Sequence, residues 1–415
     1  MEHNSPTGPS SFWSRTFSSL RYRNYRLYWF GSCTEHTGQQ MEIMASAWLM
    51  MELTNSPLYL GLLTFCRIVP LFFFALLGGV VADRLDRRRV LLGCFLGSTG
   101  VSTALLLLAR TGAIVPWHLL LAAVVNAAIK GINHPARDAM IPNLTPKHEW
   151  MNAIALDTIS VRASSILGAP LAGGFIAAFG TAPLFGVSAV GLLLASFWLM
   201  RTDITVVKAG AGKQEQGAWQ NLSSGLHYVA ANGLIVCLVL VFALREFQTE
   251  MSSTFLPFFA DHILQSGPMG FGYLNMAQGI GGTAGLFGLA TLGNYKYKGR
   301  LIIISGMLVG ILLIAFSLSQ ALLLSFILLT AANGFGTVFE NVGRTALQGI
   351  IPDEMRGRVM SLREVIRGFV GAWVSYGLGL GGEYLGVVTA SLFLGLFIVL
   401  AVFSMYLFMP AFRKL

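Results

Sequence analysis

Long apolar stretches separated by short polar connections run through almost the whole chain. Some of them, such as 101–109 and 301–318, are nearly free of polar residues. Because a helix needs about 20 mainly apolar residues to cross the hydrocarbon core of a bilayer, this pattern predicts twelve membrane-spanning helices. We place these spans at residues 27–50, 58–82, 90–109, 114–136, 153–178, 182–200, 234–258, 270–292, 300–319, 321–343, 359–382 and 386–409.

One long polar connection, residues 201–233, divides the spans into two groups of six. Within it, residues 219–231 are predicted to form an amphipathic helix at the membrane interface. The expected fold is an all-α membrane protein built from two six-helix bundles. Its predicted parts are a cytoplasmic N-terminal segment (1–26), a first bundle (27–200), a cytoplasmic linker (201–233), a second bundle (234–409) and a cytoplasmic tail (410–415).

The composition excludes a water-soluble protein. Of the 415 residues, 54% are hydrophobic and only 11% are charged, whereas soluble domains carry roughly 25% charged residues. The four cysteines lack paired spacing, so the sequence supports neither a metal site nor a disulfide framework. The seven histidines are dispersed and no phosphate-binding GxxxxGKS/T loop occurs, which argues against an enzyme, a cofactor and an ATP-driven pump.

The net charge of +9 is explained by membrane topology rather than by nucleic-acid binding. Alternating the predicted loops places 21 of the 28 Lys and Arg residues on one side of the membrane and only Arg110 on the other, and six lie within spans. Short loops rich in Lys and Arg stay on the cytoplasmic side. Both termini are therefore predicted to be cytoplasmic, which requires an even number of spans.

The two halves of the sequence resemble each other at an offset of 206 residues. Gly173 and Gly180, for example, align with Gly379 and Gly386. Because each half contains an even number of spans, both insert in the same orientation, which gives a parallel repeat about an axis along the membrane normal. This arrangement predicts a cavity between the halves that opens to either side in turn. Accidental matches between apolar helices are the alternative interpretation.

The loop after the second span carries a specific motif, because residues 78–89 read GGVVADRLDRRR. It resembles the signature loop of the major facilitator superfamily, G-x-x-x-D-R-x-x-R-R. The matching positions are Gly79, Asp83, Arg84, Arg87 and Arg88. The resemblance implies the fold of that superfamily, with two six-helix halves related by a pseudo-twofold axis, and a latch formed by these residues on the cytoplasmic side. A plain cluster of positive loop charges is the alternative.

Other stretches, such as 21–26 and 352–361, are similar to the bacterial drug and siderophore exporters of the superfamily, the enterobactin-exporter-like branch. Span 5 resembles the antiporter motif of drug/proton exporters, G-P-x-x-G-G, except that Ala169 replaces the first glycine. The candidate residues of this motif are Gly168, Pro170, Gly173 and Gly174. The resemblance implies a seal against proton leak, and tight helix packing alone is the alternative.

Ionisable residues inside the spans are candidates for the transport site, since charge is costly in the bilayer and usually faces a cavity or a partner. The candidates for the proton and substrate cavity are Glu35, Glu42, Arg67, Lys130, Arg245, Glu246 and Glu250. By resemblance to the superfamily, in which spans 1, 4, 7 and 10 line the cavity, Glu42, Lys130 and Glu250 are the first of these candidates. A buried carboxyl group can bind a proton near neutral pH, so Glu42 or Glu250 is the first choice for proton coupling. Structural ion pairs of these acids with Arg67 or Arg245 are the alternative.

Four further charged residues lie near the predicted cytoplasmic rim. They are Arg137, Asp157, Glu340 and Arg344. We expect them to act as gate residues that work with the arginine-rich loop. The span-4 motif of the superfamily, R-x-x-Q-G, is absent, because Ala127 stands at its arginine and Lys130 at its glutamine. A proton mechanism that uses that arginine is therefore in doubt unless Lys130 replaces it.

The favoured function is proton-driven export of an amphipathic small molecule, a drug in multidrug efflux or a siderophore-like compound, across the bacterial inner membrane. Met44, Met50 and Phe255 are expected either to line the cavity or to face the lipid or the core. Translocation of lipids or lysolipids and solute uptake are the alternatives on the same fold. The expected partners are the substrate, protons and the lipid bilayer, with no nucleic acid, metal or cofactor, and the protein is expected to be a monomer.

Overall fold

The computed structural model describes residues 16–84, 86–138, 140–202, 218–293 and 295–409, with the side chains of all of these except 76, 77, 79–84 and 218–222. Twelve helices of 19 residues or more make up most of this part of the chain. They are α1 Arg23–Thr54, α2 Pro57–Arg84, α3 Arg87–Arg110, α4 Pro116–Asp138, α5 Trp150–Phe179, α6 Ala182–Met200, α7 Gly233–Phe258, α8 Gly267–Leu292, α9 Lys298–Ser317, α10 Leu322–Ile350, α11 Asp353–Leu385 and α12 Val387–Phe408.

Short helical segments connect some of these long helices. Ser18–Arg21 and Lys147–Glu149 form 3₁₀ turns, Ile141–Leu144 forms one α-helical turn, and Phe259–Ile263 continues α7 as a π-helical turn. A separate helix, Ala218–Ala230, precedes α7 and packs against α7 and α11. It occupies the region where the sequence predicts an amphipathic helix.

Each of the twelve predicted spans falls on one of the twelve long helices. Among the described residues, eight helices are long and apolar enough to cross a membrane, and a ninth qualifies when α7 is taken with the helix before it. The helices α1 and α11 carry charged residues within their length, which lowers their hydropathy, and α8 is rich in glycine. The exact count of twelve crossings therefore stays a prediction.

The same local turn ends α5 and α11. Gly180 and Gly386 follow these helices with φ angles of 79° and 83°, a backbone region that glycine adopts readily. Their amide groups donate to the carbonyl oxygens of Ile176 (2.8 Å) and Gly382 (3.1 Å). These two glycines are the pair that the sequence repeat aligns, so the repeat extends to backbone conformation.

Helix packing also repeats after every six helices. In the first half α2 packs on α4, α3 on α6, and α1 on α5; in the second half α8 packs on α10, α9 on α12, and α7 on α11. The two halves join mainly through α2 on α11 and α5 on α8. Because α2 corresponds to α8 and α5 corresponds to α11 in the repeat, these two contacts are equivalent to each other. The predicted fold class, two six-helix halves related by a parallel pseudo-twofold axis, is confirmed.

Small residues allow the close approach of the two halves. A Cβ atom on Gly61 of α2 would lie 2.9 Å from Cα of Gly379 on α11, and one on Gly173 of α5 would lie 3.1 Å from Cα of Gly272 on α8. Membrane helices use such glycines because van der Waals contact between backbones drives their association. Gly173 and Gly379 are again partners in the sequence repeat, so the same device operates at both crossings.

The halves close tightly at one end of the bundle. We name the end where α1 finishes and α12 begins the distal end, and the opposite end the proximal end. Met44, Met50 and Phe255 are at most 1% exposed in one core cluster there, so they pack in the core, the second of the two expected roles. Trp48 of α1 lies 5.9 Å from Phe271 of α8 between ring centroids.

A polar contact reinforces the distal closure. Glu383, near the end of α11, accepts a hydrogen bond from the hydroxyl of Ser56 at 2.5 Å and one from the amide of Leu58 at 3.5 Å. Ser56 and Leu58 lie at the start of α2, where the helix dipole favours a negative charge. This carboxylate therefore joins the second half of the protein to the first.

Candidate functional site

A cavity of about 250 Å³ lies inside the first half, among α1, α2, α3, α4 and α6. The sequence predicts a central cavity at the boundary between the halves. The observed cavity lies to one side of that boundary. Its polar lining consists of Gln39, Glu42, Ser46, Arg67, Ser98, Asn126, Lys130 and Asn133. Three of the seven residues predicted for the transport cavity, Glu42, Arg67 and Lys130, are therefore brought together here.

Glu42 is held by neutral donors from three other helices. Its carboxylate accepts hydrogen bonds from the hydroxyl of Ser102 on α3, from Ser188 on α6 at 2.9 Å and from the amide of Asn126 on α4 at 2.7 Å. The guanidinium of Arg67 on α2 is within electrostatic range. Both carboxylate oxygens thus have donors, and this one side chain connects three helices of the first half to its own.

The two cations of the cavity have fewer partners. Arg67 donates a hydrogen bond to the carbonyl oxygen of Ile43 at 3.3 Å. Lys130 lines the cavity and is exposed. Among the residues that the structure describes, neither cation forms a salt bridge. The cavity therefore holds positive charge that carboxylates of the described chain do not pair.

Glu35 lies outside the lining of this cavity, in a buried cluster around Arg137. Arg137 forms salt bridges with Glu35 at 2.8 Å and with Asp157 of α5 at 2.9 Å. The same guanidinium donates to the hydroxyl of Ser32 at 2.8 Å and lies 2.7 Å from Nε2 of His36. The structure thus joins a residue predicted in the cavity, Glu35, to two predicted at the rim, and ties α1, α4 and α5 together.

In the second half, Glu250 lies at the boundary with the first half. It is 6% exposed, and Oε2 has no hydrogen-bond partner among the described residues. A Cβ atom on Gly371 of α11 would lie 3.3 Å from Glu250 Oε1, 3.4 Å from Glu246 Oε2 and 3.7 Å from Ile68 of α2. The two carboxyl groups predicted from their spacing on α7 therefore lie on the same face, directed at α11.

Glu246 differs from its neighbour because a cation lies near it. Its carboxylate is 3.9 Å from the guanidinium of Arg367 on α11. Glu250 forms no ion pair within 4 Å among the described residues, although Arg367 and Arg67 both lie within electrostatic range of it. Arg67 is also within range of Glu42. This arginine therefore interacts electrostatically with an acidic residue of each half.

A second charged cluster surrounds Glu340 of α10. Glu340 lies 2.9 Å from Arg363 of α11 and 3.8 Å from Arg245 of α7. Arg363 also forms a salt bridge with Glu364 at 2.7 Å. Arg344, the fourth residue predicted at the rim, is exposed and forms no salt bridge with Glu340. Arg245 thus belongs with the Glu340 cluster rather than with the lining of the 250 Å³ cavity.

Part of the predicted latch falls on residues whose side chains lie outside the described ones, namely Gly79, Asp83 and Arg84. Arg88 donates a hydrogen bond to the carbonyl oxygen of Met200 at the end of α6. A cation at a helix C-terminus is favourable because the last carbonyl groups lack partners within the helix. Arg87 is half-buried at the start of α3. In this structure Arg88 therefore stabilises a helix end within the first half.

The residues of the antiporter-like motif lie at two helix contacts of α5. Gly173 is the crossing point with α8, as described above, and a Cβ atom on Gly174 would lie 3.8 Å from Met269 of α8. Gly168 faces α1, where its Cβ atom would lie 3.8 Å from Gln40. Pro170 lies inside the helix. The motif therefore packs α5 against helices of both halves.

Sequence reasoning missed several polar residues that complete these clusters. They are Ser102, Asn126, Ser188, Gln248 and Glu383. Each is a polar residue in or beside an apolar stretch, which is the signal that could have singled them out. Ser102, Asn126 and Ser188 converge on Glu42. Gln248 is fully buried on α7, and both its amide atoms lack partners among the described residues.

Two repeated six-helix bundles with charged residues buried among apolar helices define a membrane transporter of the major facilitator type. A family model described as transmembrane secretion effector matches residues 14–414. The chain belongs to this family, within the major facilitator superfamily.

Known exporters are among the similar proteins. The chain is 21% identical over 328 residues to the staphyloferrin A transporter of Staphylococcus aureus, covering 78% of this chain and 81% of the relative. It is 22% identical over 351 residues to macrolide efflux protein A of Streptococcus pyogenes, covering 82% of this chain and 86% of the relative. The solved structure of the nucleoside transporter NupG superposes with a TM-score of 0.77 at 12% identity, covering 94% of this chain and 100% of NupG. The family and these relatives establish a multi-pass membrane transporter of small molecules.

Proposed function

We propose that this protein is a proton-coupled exporter of an amphipathic small molecule that acts by alternating access. In this proposal it works as a monomer in the bacterial cytoplasmic membrane, with the proximal end and both termini on the cytoplasmic side. The orientation rests on the distribution of Lys and Arg among the loops. The observation that carries the proton coupling is the buried carboxyl group of Glu250 at the boundary between the halves, whose Oε2 has no hydrogen-bond partner among the described residues.

The position of Glu250 connects proton binding to movement of the halves. Its carboxyl group lies between Gly371 of α11 and Ile68 of α2, and the α2–α11 contact is one of the two that join the halves. A charged carboxylate without donors is costly in an apolar environment. Binding a proton removes that cost in the closed arrangement, whereas the open arrangement exposes the group to water or to a cation. Protonation of Glu250 therefore favours one conformation over the other.

Arg67 is the residue that would connect substrate binding to proton binding. It lies within electrostatic range of both Glu42 and Glu250 and lines the cavity of the first half. A charged substrate in the cavity changes the electrostatic interaction between Arg67 and its neighbours, and this changes how strongly Glu250 binds a proton. Substrate and proton thus compete for the charge of one arginine, as an antiporter requires.

Export, rather than uptake, is supported by the relatives. The staphyloferrin A transporter is a siderophore transporter by name, and macrolide efflux protein A removes macrolides by name. Both cover most of this chain. We carry over from them only the direction of transport and an amphipathic substrate, because identity near 20% leaves the compound open.

Everted membrane vesicles test this function. Vesicles from cells that produce the protein are acidified inside by respiration, and a macrolide or staphyloferrin A is added. We expect each transported compound to release protons from the vesicles, measured as recovery of a quenched pH dye. Vesicles from cells without the protein are the control. Accumulation of a compound without proton release would overturn the coupling, and uptake in right-side-out vesicles would overturn export.

A further inference from the structure

The charges of the cavity in the first half do not balance. Its lining contains the cations Arg67 and Lys130 and a single carboxylate, that of Glu42. The nearby carboxylate of Glu35 is engaged by Arg137 at 2.8 Å. The cavity thus carries an excess of positive charge where the substrate of a transporter would enter.

The carboxylate and the cations also differ in their availability. Three neutral donors already use most of the acceptor sites of Glu42, so little of its hydrogen-bonding capacity is left for a cationic ligand. Lys130, by contrast, is exposed in the cavity and forms no salt bridge among the described residues. An ammonium group with three free donors is a good partner for a carboxylate or a phosphate.

We propose that this cavity is an anion-binding subsite in which Lys130 and Arg67 hold a carboxylate group of an amphipathic substrate. The inference rests on the proposed transport function and specifies the chemical class of its substrate. It separates this protein from an exporter of cationic drugs, which would need an available carboxylate in place of an available lysine.

The arrangement of α4 gives the subsite a direction. Leu119, Ala122 and Ala123 line the cavity towards the distal end, and Asn126 and Lys130 follow on the same helix face towards the proximal end. The apolar part of this lining therefore lies on the distal side of Lys130. An amphipathic anion would place its apolar part against the alanines and its carboxylate at Lys130.

The size of the cavity indicates that it takes one end of a substrate. Its volume of about 250 Å³ is below the range of roughly 300–1,000 Å³ that encloses drug-sized ligands. Ile68 of α2 lines the cavity and also faces Gly371 of α11 at the boundary between the halves. The rest of a larger substrate would therefore extend towards that boundary, next to Glu250.

A matched pair of aromatic probes tests the sign of the site. Naphthaleneacetate and naphthylethylamine have nearly the same size and opposite charge, and their binding to the purified protein in lipid nanodiscs is measured by calorimetry, with empty nanodiscs as the blank. We expect the anion to bind at least about tenfold more tightly than the amine. Equal affinities, or a preference for the amine, would overturn the proposal.

Variants of Lys130 localise the effect. Lys130→Gln is expected to weaken binding of naphthaleneacetate about tenfold and leave the amine unaffected, whereas Lys130→Arg should retain most of the anion affinity. Lys147→Gln, at an exposed loop lysine, is the matched control and should change neither affinity. If Lys130→Gln binds the anion as well as the unchanged protein does, the subsite is not at Lys130.

The outcome separates this inference from the transport proposal. Proton release in everted vesicles with no preference for the anion would remove the subsite and keep the exporter. Lys130-dependent anion binding without transport of any tested anion or macrolide would keep the subsite and remove the exporter. Because Lys130 has no hydrogen bond or salt bridge to lose among the described residues, its variants are expected to fold like the unchanged protein.

Discussion

Glu42 on α1 and Glu250 on α7 lie on helices that occupy equivalent positions in the two six-helix halves, yet their surroundings differ. Glu42 accepts hydrogen bonds from three helices, whereas Glu250 has an oxygen with no partner among the described residues. Glu42 lies inside one half, and Glu250 lies at the contact between halves. The same fold thus uses one carboxylate to hold helices together and leaves the other able to change its charge.

The arginines of the two halves show a similar contrast. Arg137 of the first half is buried and forms salt bridges with Glu35 and Asp157 at distances below 3 Å. Arg367 of the second half pairs with Glu364, and the two side chains are 48% and 51% exposed. Buried ion pairs are costly to break, and exposed pairs contribute little. We infer that Arg137 fixes structure, as the buried Arg363 does beside Glu340 in the second half, whereas Arg367 is free to respond.

The largest expected effect is on stability, from Arg137→Gln. This change leaves the carboxylates of Glu35 and Asp157 buried without their cation, so we expect a loss of roughly 3–5 kcal/mol in the free energy of unfolding. Unfolding in mixed micelles with increasing SDS measures it. The matched variant Arg367→Gln removes an exposed pair with Glu364 and a longer contact of 3.9 Å with Glu246, so it should cost clearly less, about 1 kcal/mol. Equal losses in the two variants would contradict the contrast between these two arginines.

The next effect concerns coupling, through Glu250→Gln. The substitution fixes the group in a neutral form and removes no hydrogen bond, so the protein should fold with unchanged stability. We expect substrate-dependent proton release in everted vesicles to fall at least about tenfold, which corresponds to about 1.4 kcal/mol. Glu246→Gln is the control on the same helix face, and its pair with Arg367 at 3.9 Å is weak. Normal proton release from Glu250→Gln would move the coupling site elsewhere.

Glu42→Gln should give the reverse of the Glu250 result. The amide cannot accept all the hydrogen bonds that Ser102, Ser188 and Asn126 donate to the carboxylate, so we expect a loss of roughly 1–2 kcal/mol of stability. Proton release per substrate should persist in the fraction that folds. The measurement is the same pair of assays, unfolding in mixed micelles and dye recovery in vesicles. Loss of coupling as complete as in Glu250→Gln would mean that both acids titrate during transport.

The fold was predictable because a membrane imposes a length and an apolar composition on every helix. Most predicted span boundaries agree with the helices to within four residues, but the end of α10 and the start of α11 lie six to seven residues from their predicted positions. The sequence repeat pairs Gly173 with Gly379, and both glycines lie at close helix crossings. The partners of the buried charges were less accessible. Their spacing on α7 placed Glu246 and Glu250 on one face. No pattern in the sequence shows, however, that Arg137 of α4 forms a salt bridge with Glu35 of α1. Such pairs depend on how helices rotate and cross.

The smallest expected effect lies at the distal closure, where Glu383 joins the halves. Glu383→Ala removes the hydrogen bonds from Ser56 and Leu58, and because Glu383 is exposed we expect closure to weaken by about 0.5–1.5 kcal/mol. A cysteine introduced as Ile68→Cys, next to Glu250 at the boundary, should react about two- to tenfold faster with a membrane-impermeant thiol reagent applied at the distal side. Glu354→Gln, an exposed acid at the proximal start of α11, is the control. An unchanged rate in Glu383→Ala would mean that glycine and aromatic packing closes the distal end without this carboxylate, and that the boundary around Glu250 is set by apolar contact alone.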